Sequence, residues 1–362
     1  LSFHIFVVLT SLMNVHFIKK HLPGLFGSFI ILMSILFAVF AYFIAPDKSP
    51  YANTMHLELS TLSPGTSISF LRVSNKETNT TSFFKQLVSG SYPSYNSIPI
   101  RSYSLTDSLV SYIPYGSNLA QVLPRSQLII PTNKTLAFTQ MYYLGTDKYG
   151  RDLLSRLIVA TRISLAVGLI SVFISLVIGI TLGLIAGFYG SWIDQCILWL
   201  INVVWSIPTL LMVIAISLAL GKGFWQVFVA VGLTMWVEVA RVVRGQVLSL
   251  KQLEYVQAAK VLGFGNFRIM FGHILPNIMS PIIVISAANF ASAILMEAGL
   301  SFLGIGAQAP MPSWGAMIKN HYSYIILDKA YLALAPGMAI MLLVLALMYV
   351  GNMLREHLNV KV

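Results

Sequence analysis

The side chains of this sequence that could do chemistry are sparse, and they gather in two charged stretches rather than in a catalytic set. The first stretch is Gly145, Thr146, Asp147, Gly150, Arg151 and Asp152, continued by Ser155, Arg156 and Arg162. Acids and guanidiniums at that spacing can pair and make an amphipathic approach to a membrane, with Arg156 able to snorkel from Leu153 onward. The second stretch is Glu254 to Asn277, EYVQAAKVLGFGNFRIMFGHILPN, polar and basic for its first two thirds yet set between two long apolar runs. Neither stretch places a nucleophile beside a base. The histidines (His4, His16, His21, His56, His273, His321, His357) are scattered and read as surface or interface groups. There is no Cys/His cluster, no paired intramembrane acid at metal-ligand spacing and no Gly-x4-Gly-Lys-Ser/Thr phosphate loop. No catalytic and no metal-binding residues are expected, so the energy for any work must come from elsewhere.

The background that positions these groups is a lipid one. Of 362 residues 57% are hydrophobic and 10% charged, with mean hydropathy +0.78, where a soluble domain carries about 25% charge. The formal charge of +11 is spread through loops, which fits basic cytoplasmic loops of a membrane protein and not a nucleic-acid surface. Cys196 is the single cysteine and excludes an intrachain disulfide. The chain as written starts on Leu1, which leaves a start upstream, at Met13 or at an alternative initiation codon. The apolar run after Lys19, Lys20 and His21 is too long for a cleavable signal.

Gly24 to Ala45 is uncharged over about the length that a bilayer core requires and reads as span one. Residues 46 to 143 turn rich in Ser, Thr, Tyr, Asn and Pro. Pieces such as SISFLRV, SIPIRSYSL and SLVSYIPY alternate and predict short strands in an outer, β-rich insertion, with a structureless linker as the alternative. The Asn-x-Thr triplets at Asn79 and Asn133 are read as chance. Span two is expected over Ile163 to Phe188, with Gly179, Gly183 and Gly187 forming a small-residue face suited to close packing in lipid. Span three, Ile193 to Leu220, should kink at Pro208. Span four runs from Phe224 to about Val239, where Glu238 and Arg241 can pair on one face. Span five runs from Pro276 to about Leu300, and span six from Leu334 to Leu354. Asn289 and Glu297 on span five would be costly against lipid. They are candidates for lining a translocation path, with interhelical hydrogen bonding an equal alternative.

Glu254 starts a short amphipathic helix whose apolar positions are Val256, Ala259 and Leu262/Gly263, stopped by Gly263. Six spans place this loop and both termini on one side. The inner loops and ends then hold Lys19, Lys20, Arg241, Arg244, Lys251, Lys260, Arg268, Arg355 and Lys361, the short outer loops Lys222, Lys319 and Lys329. That asymmetry favours a cytoplasmic side for the loop, with Arg151, Arg156 and Arg162 a mild objection.

Ala258, Ala259, Gly263, Leu275 and Pro276 resemble the "EAA" loop of binding-protein-dependent ABC importers: E-A-A, three residues, Gly, nine residues, I-x-L-P. Gln257 stands where the name-giving Glu would be, with Glu254 one turn earlier able to supply the acid, and His273 stands where Ile would be. The string from Gly145 to Asp152 is similar to the segment before the second span in the C-type permease subunit of dipeptide and oligopeptide importers. GIGAQAPMPSWG is similar to that family's Gly/Pro-rich segment after span five.

The resemblance implies an all-α polytopic type I importer permease of six transmembrane helices in a bacterial cytoplasmic membrane, with the β-rich insertion between helices 1 and 2. It divides the chain into 1–45, the insertion 46–143 and a permease core 144–358, with the coupling loop at 241–276. It implies a B-type permease subunit as heterodimer partner, two ATPase subunits carrying ATP and Mg, an extracytoplasmic solute-binding protein, and no cofactor on this chain. Cargo would be dipeptides or oligopeptides. The rival readings are the same permease role for nickel or another small solute, and an ion-coupled secondary transporter, which would call for inverted repeats and more intramembrane ionisable groups.

Overall fold

The computed structural model describes residues 15–74, 82–106, 108–129, 136–221 and 223–359, with side chains described from Leu22 to Leu358 within those ranges. His4, Asn79, Asn133, Lys222 and Lys361 lie outside the described residues, as do the side chains of His16, Lys19, Lys20 and His21. In chain order the elements are α1 (Val15–Val39), β1 (Thr66–Ser74), α2 (Phe83–Ser89), β2 (Tyr95–Leu105), β3 (Leu109–Pro114), β4 (Gln121–Pro124) and β5 (Ala137–Tyr142). There follow α3 (Leu153–Tyr189), α4 (Ser191–Trp205), α5 (Thr209–Ala219), α6 (Phe224–Leu250), α7 (Glu254–Val261), α8 (Met279–Leu303), α9 (Trp314–His321) and α10 (Tyr331–Asn359). Packing divides the chain into two units. One consists of Leu1–Ser34, Ser164–Ala307 and Ala339–Val362, the other of Ile35–Ile163 and Gln308–Met338.

The second unit contains an antiparallel five-stranded sheet in the order β4-β3-β2-β1-β5. The alternating pieces of the sequence become β1, β2 and β3, and the linker alternative falls. Phe70 and Leu71, neighbours in β1, an interior strand, enter opposite clusters, as the two-residue strand period requires. Leu71 joins Ile100, Val110, Tyr112, Leu128 and Leu136, while Phe70 joins Leu59, Ile68 and Tyr142. Both faces are covered, so the sheet carries a core of its own. Within this unit Trp314 donates its indole N–H to the Leu157 carbonyl at 3.1 Å, and Tyr331 donates to Leu62 O at 2.7 Å.

Among the described residues five helices are long and apolar enough to cross a membrane: Leu22–Val39, Leu153–Tyr189, Phe224–Leu250, Asn266–Leu303 and Tyr331–Leu358. A sixth arises if α4 and α5, bent by 90° across their break, count as one. The expected kink at Pro208 is thus a right-angle turn. Pro208 has no N–H and disfavours a helical Ile207, and the Ser206 hydroxyl ties down the loosened end by donating to Val203 O at 2.8 Å. Helix α3 starts at Leu153, ten residues before the expected Ile163. Its 37 residues make a rod of about 55 Å, well beyond the ~30 Å of a hydrocarbon core.

The first unit confirms the glycine face of α3. A Cβ on Gly179 would stand 2.5 Å from Val239 Cβ, one on Gly183 2.6 Å from the Ala240 carbonyl, and one on Gly187 2.7 Å from Val247 Cβ. Two rows spaced by four residues, Gly on α3 and Val239, Val243 and Val247 on α6, therefore interlock. Gly183→Val is expected to cost about 1–3 kcal/mol by overpacking. Gly245→Ala, where no atom lies within 4 Å, is expected to gain up to about 1 kcal/mol in helix propensity. Thermal midpoints of the two variants in detergent should move in opposite directions. The expected Glu238–Arg241 pair does not form. Arg241 lies over the Trp205 ring at 3.5 Å, and the ion pair at this end of α6 is Arg244 with Asp194, bidentate at 2.5 and 2.6 Å.

Candidate functional site

Helix α7 is built to be held on one side and presented on the other. Glu254 lies in its first turn and Lys260 in its last, each matching the helix dipole. The C-terminus closes with a Schellman pattern. Gly263 takes φ +78°, its N–H donates to Lys260 O at 3.0 Å, and the Phe264 N–H donates to Ala259 O at 3.1 Å. At the N-terminal side Gln257 Nε2 donates to the Lys251 carbonyl at 2.7 Å. A carboxylate there has no proton to give, so Gln257 closes the loop in a way that a Glu at this position would not.

The buried face of α7 is narrower than the sequence spacing suggests. Val256 and Ala259 are inside, in one cluster with Leu184 and Phe188 of α3, Val239, Val243 and Val247 of α6, and Ile269, Ile274, Ile278 and Ile282 beyond the loop. Leu262, expected on the same face, is 72% exposed, because the chain turns into the Gly263 cap before the next helical position. Val261 is 87% exposed and Phe267 70%. Glu254 and Ala258 are exposed as well. Exposed apolar side chains thus stand at the C-terminal end of a helix anchored in the core, Val261 and Leu262, and on the turn that follows, Phe267. Val261 and Phe267 were not singled out by motif or spacing, and Leu262 was picked by spacing for the covered face, since neither signal distinguishes a covered apolar residue from a bare one.

The chain after the loop is helical earlier than Pro276. A turn at Asn266–Arg268 widens to a π-helical stretch at Ile269–Ile274, tightens to a 3-10 turn at Leu275–Ile278, and continues as α8. Pro276 occupies the start of the 3-10 turn, where a missing N–H is harmless. Leu275 packs partly against the core cluster. His273 stacks on Phe264 at 5.6 Å, a packing use of the position where the loop pattern has Ile. In α8, Asn289 and Glu297 are both 2% exposed. Glu297 Oε1 accepts from the Ser301 hydroxyl of the same helix at 2.6 Å, and Asn289 Nδ2 has no hydrogen-bond partner among the described residues.

The motif before α3 closes a loop in the second unit. Gly145 and Gly150 have φ of +76° and +71°, and a Cβ on either would collide with backbone, Leu62 O at 2.2 Å and His56 O at 1.7 Å. Thr146 Oγ1 donates to Leu59 O and accepts from the Leu62 N–H at 2.8 Å. Asp147 is fully buried. It accepts from the Tyr149 N–H at 2.8 Å and from Arg151 Nε at 2.7 Å, while Arg151 also donates to Asn53 Oδ1 at 2.9 Å. Asp152 caps α3, accepting from the Ser155 N–H at 2.8 Å and from the Ser155 hydroxyl. Arg156 does not snorkel outward. It is buried, 3.8 Å from Asp147 and donating to the Tyr51 and Ala52 carbonyls at 3.4 Å. Arg162 likewise turns to backbone, donating to Val88 O at 2.9 Å. Motif residues that read as an interfacial charge belt are thus an internal staple, because buried guanidiniums need acceptors.

Titration in this unit is set by burial. Burial pushes the Asp152 carboxyl up against the lowering effect of its Ser155 hydrogen bonds. Burial holds His56 below its ordinary value, against the opposing pull of Glu58 and Asp47. A histidine depressed in the folded state adds stability that is complete above about 6.5, the unfolded value, and declines as pH falls toward its folded value. The thermal midpoint of the chain should therefore fall more steeply between about pH 7 and pH 5.5 in wild type than in His56→Gln. Parallel curves would show that His56 is not the titrating group.

The sequence pattern of the family described as binding-protein-dependent transport system inner membrane component matches residues 179–362. The chain is 41% identical over 231 residues to the dipeptide transport system permease protein DppC of Alkalihalophilus pseudofirmus, covering 64% of this chain and 76% of that one. It is 42% identical over 220 residues to the glutathione transport system permease protein GsiD of Pectobacterium atrosepticum, covering 61% and 73%. It is 40% identical over 238 residues to the di/tripeptide transport system permease protein DppC of Pseudomonas aeruginosa, covering 66% and 78%. With an anchored, outward-facing helix at the loop and the staple before α3, this chain belongs to the binding-protein-dependent inner membrane component family, as a C-type permease of the peptide ABC importer group.

Proposed function

We propose that this chain is one of two permease subunits of an ATP-driven importer for short peptides in a bacterial cytoplasmic membrane. The observation that carries this reading is α7: a short helix rooted in the α3–α6 core by Val256 and Ala259 while Val261, Leu262 and Phe267 stand bare. An exposed apolar patch on a short helix suits a docking cleft. In this reading an ATPase subunit receives the Glu254–Pro276 loop, and a second ATPase docks on a B-type permease partner. ATP and Mg bind on those ATPases and not on this chain. When ATP closes the ATPases, α7 moves as a rigid body. Its shared cluster with α6 and the run into α8 transmits the motion to the spans by packing rather than through a flexible tether.

Short-peptide cargo is supported by relatives named for dipeptide, glutathione and di/tripeptide transport. With α4 and α5 taken as one span, six spans put the loop and both termini in the cytoplasm and the β-sheet insertion outside. There the insertion would meet the solute-binding protein that delivers the peptide. The staple residues Gly145, Thr146, Asp147, Gly150, Arg151 and Asp152 then set the insertion on the start of α3. Asn289 and Glu297, inward-facing on α8, border the pathway.

The test is uptake of a radiolabelled dipeptide by cells with and without this chain. Uptake should require it, should stop when ATP is depleted, and should survive collapse of the proton and sodium gradients. Uptake abolished by gradient collapse with ATP held constant would instead identify an ion-coupled carrier. Removing residues 66–142 should leave assembly intact and impair uptake.

A further inference from the structure

A cavity of about 320 Å³ opens within the second unit, between the start of the insertion, strands β2 and β5, and the cap of α3. Its lining includes Asp47, Lys48, His56, Tyr95, Phe138 and Asp152. It lies outside the region matched by the family pattern. Its size is within the range of small-ligand pockets.

Asp152 is the unusual member. It is 3% exposed, and its Oδ2 caps α3 through Ser155. Its Oδ1 has no hydrogen-bond partner among the described residues. A buried carboxylate oxygen left without a donor is costly. The neighbouring guanidiniums are engaged elsewhere: Arg151 pairs with Asp147 at 2.7 Å and Arg156 donates to the Tyr51 and Ala52 carbonyls. Asp47 is also committed, holding the Ser49 N–H at 2.9 Å and the Thr54 N–H at 3.1 Å. Because burial keeps His56 toward its neutral form, it adds little repulsion to an incoming cation. Lys48 is exposed and forms no ion pair among the described residues, and Tyr95 and Phe138 supply an aromatic wall.

We propose that this cavity binds a small zwitterion of the amino-acid or short-peptide class, with its ammonium on Asp152 beside Asp47 and its carboxylate toward Lys48. Asp152 lines the cavity, and an ammonium beside its carboxylate gains a charge-assisted interaction, which is stronger than a neutral one. A lone metal ion fits less well, since the described residues contain no group of three or more His, Cys, Asp or Glu able to hold one. The site is read from the cavity alone and does not depend on the transport reading.

The test uses the full chain in lipid nanodiscs with L-alanyl-L-alanine as the probe, followed by ligand-observed NMR. Saturable binding is expected, weakened at least about tenfold when the probe's amine is acetylated. Asp152→Asn should weaken binding at least about tenfold while the thermal midpoint holds, because Asn caps helices as well as Asp. Gln140→Trp, which fills the cavity from β5, should abolish it. Three results would overturn the assignment: no saturation by about 10 mM, equal affinity for the acetylated probe, or saturation unchanged by both substitutions. The last would place the peptide elsewhere on the chain.

Discussion

Val261→Ser combined with Leu262→Ser should leave this chain folded and inserted but, under the proposed importer reading, strip it of the ATPase subunits which that reading docks on α7. Both side chains are almost bare, at 87% and 72% exposed, so the fold loses little, within about 0.5 kcal/mol per site. Docked in a cleft, each would bury most of its area, contributing about 1.5–3 kcal/mol. Losing both weakens association by a factor of about 10² or more. The anchoring side chains Val256 and Ala259 and the Gly263 cap stay in place, so α7 keeps its position. Co-purification from membranes followed by mass spectrometry reads the result, with peptide uptake falling in parallel. If the doubly substituted chain retains its ATPases at wild-type yield, the exposed patch is not the docking surface. The complementary pair Glu254→Ala and Gly263→Pro attacks the helix itself and should give the same loss.

Gly150→Ala, a change of one methyl group, should be among the most damaging in the second unit. The φ of +71° alone costs a residue with a Cβ about 1–2 kcal/mol. The new carbon would lie 1.7 Å from the His56 carbonyl oxygen, and neither partner can rotate away because both are backbone. The turn from Asp147 to Arg151 must open, which loosens the buried Asp147–Arg151 pair and the contacts at 53 to 62. A total of about 3 kcal/mol or more is expected, seen as faster limited proteolysis of the insertion and a lower thermal midpoint. Tyr149→Ala is the control, since Tyr149 is exposed and its ring lies against Lys148 and Arg151 in cation–π contacts. Equal proteolysis of the two variants would show that the tight approach at Gly150 is dispensable.

Much of this protein was legible in the order of its residues. Uncharged runs of bilayer length, the four-residue glycine spacing of α3 and the Gly263 stop each follow from local rules. A helix period, a strand period and a left-handed cap are properties of a few neighbours along the chain. The alternation in SISFLRV likewise foretold β1, though not that β1 would lie between β2 and β5, since strand order depends on partners distant in sequence. Helix α3 was expected to begin at Ile163 because hydropathy marks the lipid-covered part of a helix. Its first turns, capped by Asp152, are helical for a reason that hydropathy does not measure.

Tertiary structure decided which side chains face what. Arg156 looked like a residue reaching for water and is turned inward, because buried carbonyls and Asp147 lie within its reach. Leu262 looked like part of a packed stripe and is bare, because the cap at Gly263 redirects the chain. Pro208 marked a bend whose 90° size depends on how α4 and α5 each pack. Asp152 appeared as one more charge in a motif, and only the folded chain buries it at the edge of a cavity, with one oxygen that has no donor among the described residues. Sequence alone determined the membrane character and family pattern of this protein, since both reside in composition and spacing. Exposure, partner choice and the cavity came from the fold, since burial is a property of surfaces brought together across the chain.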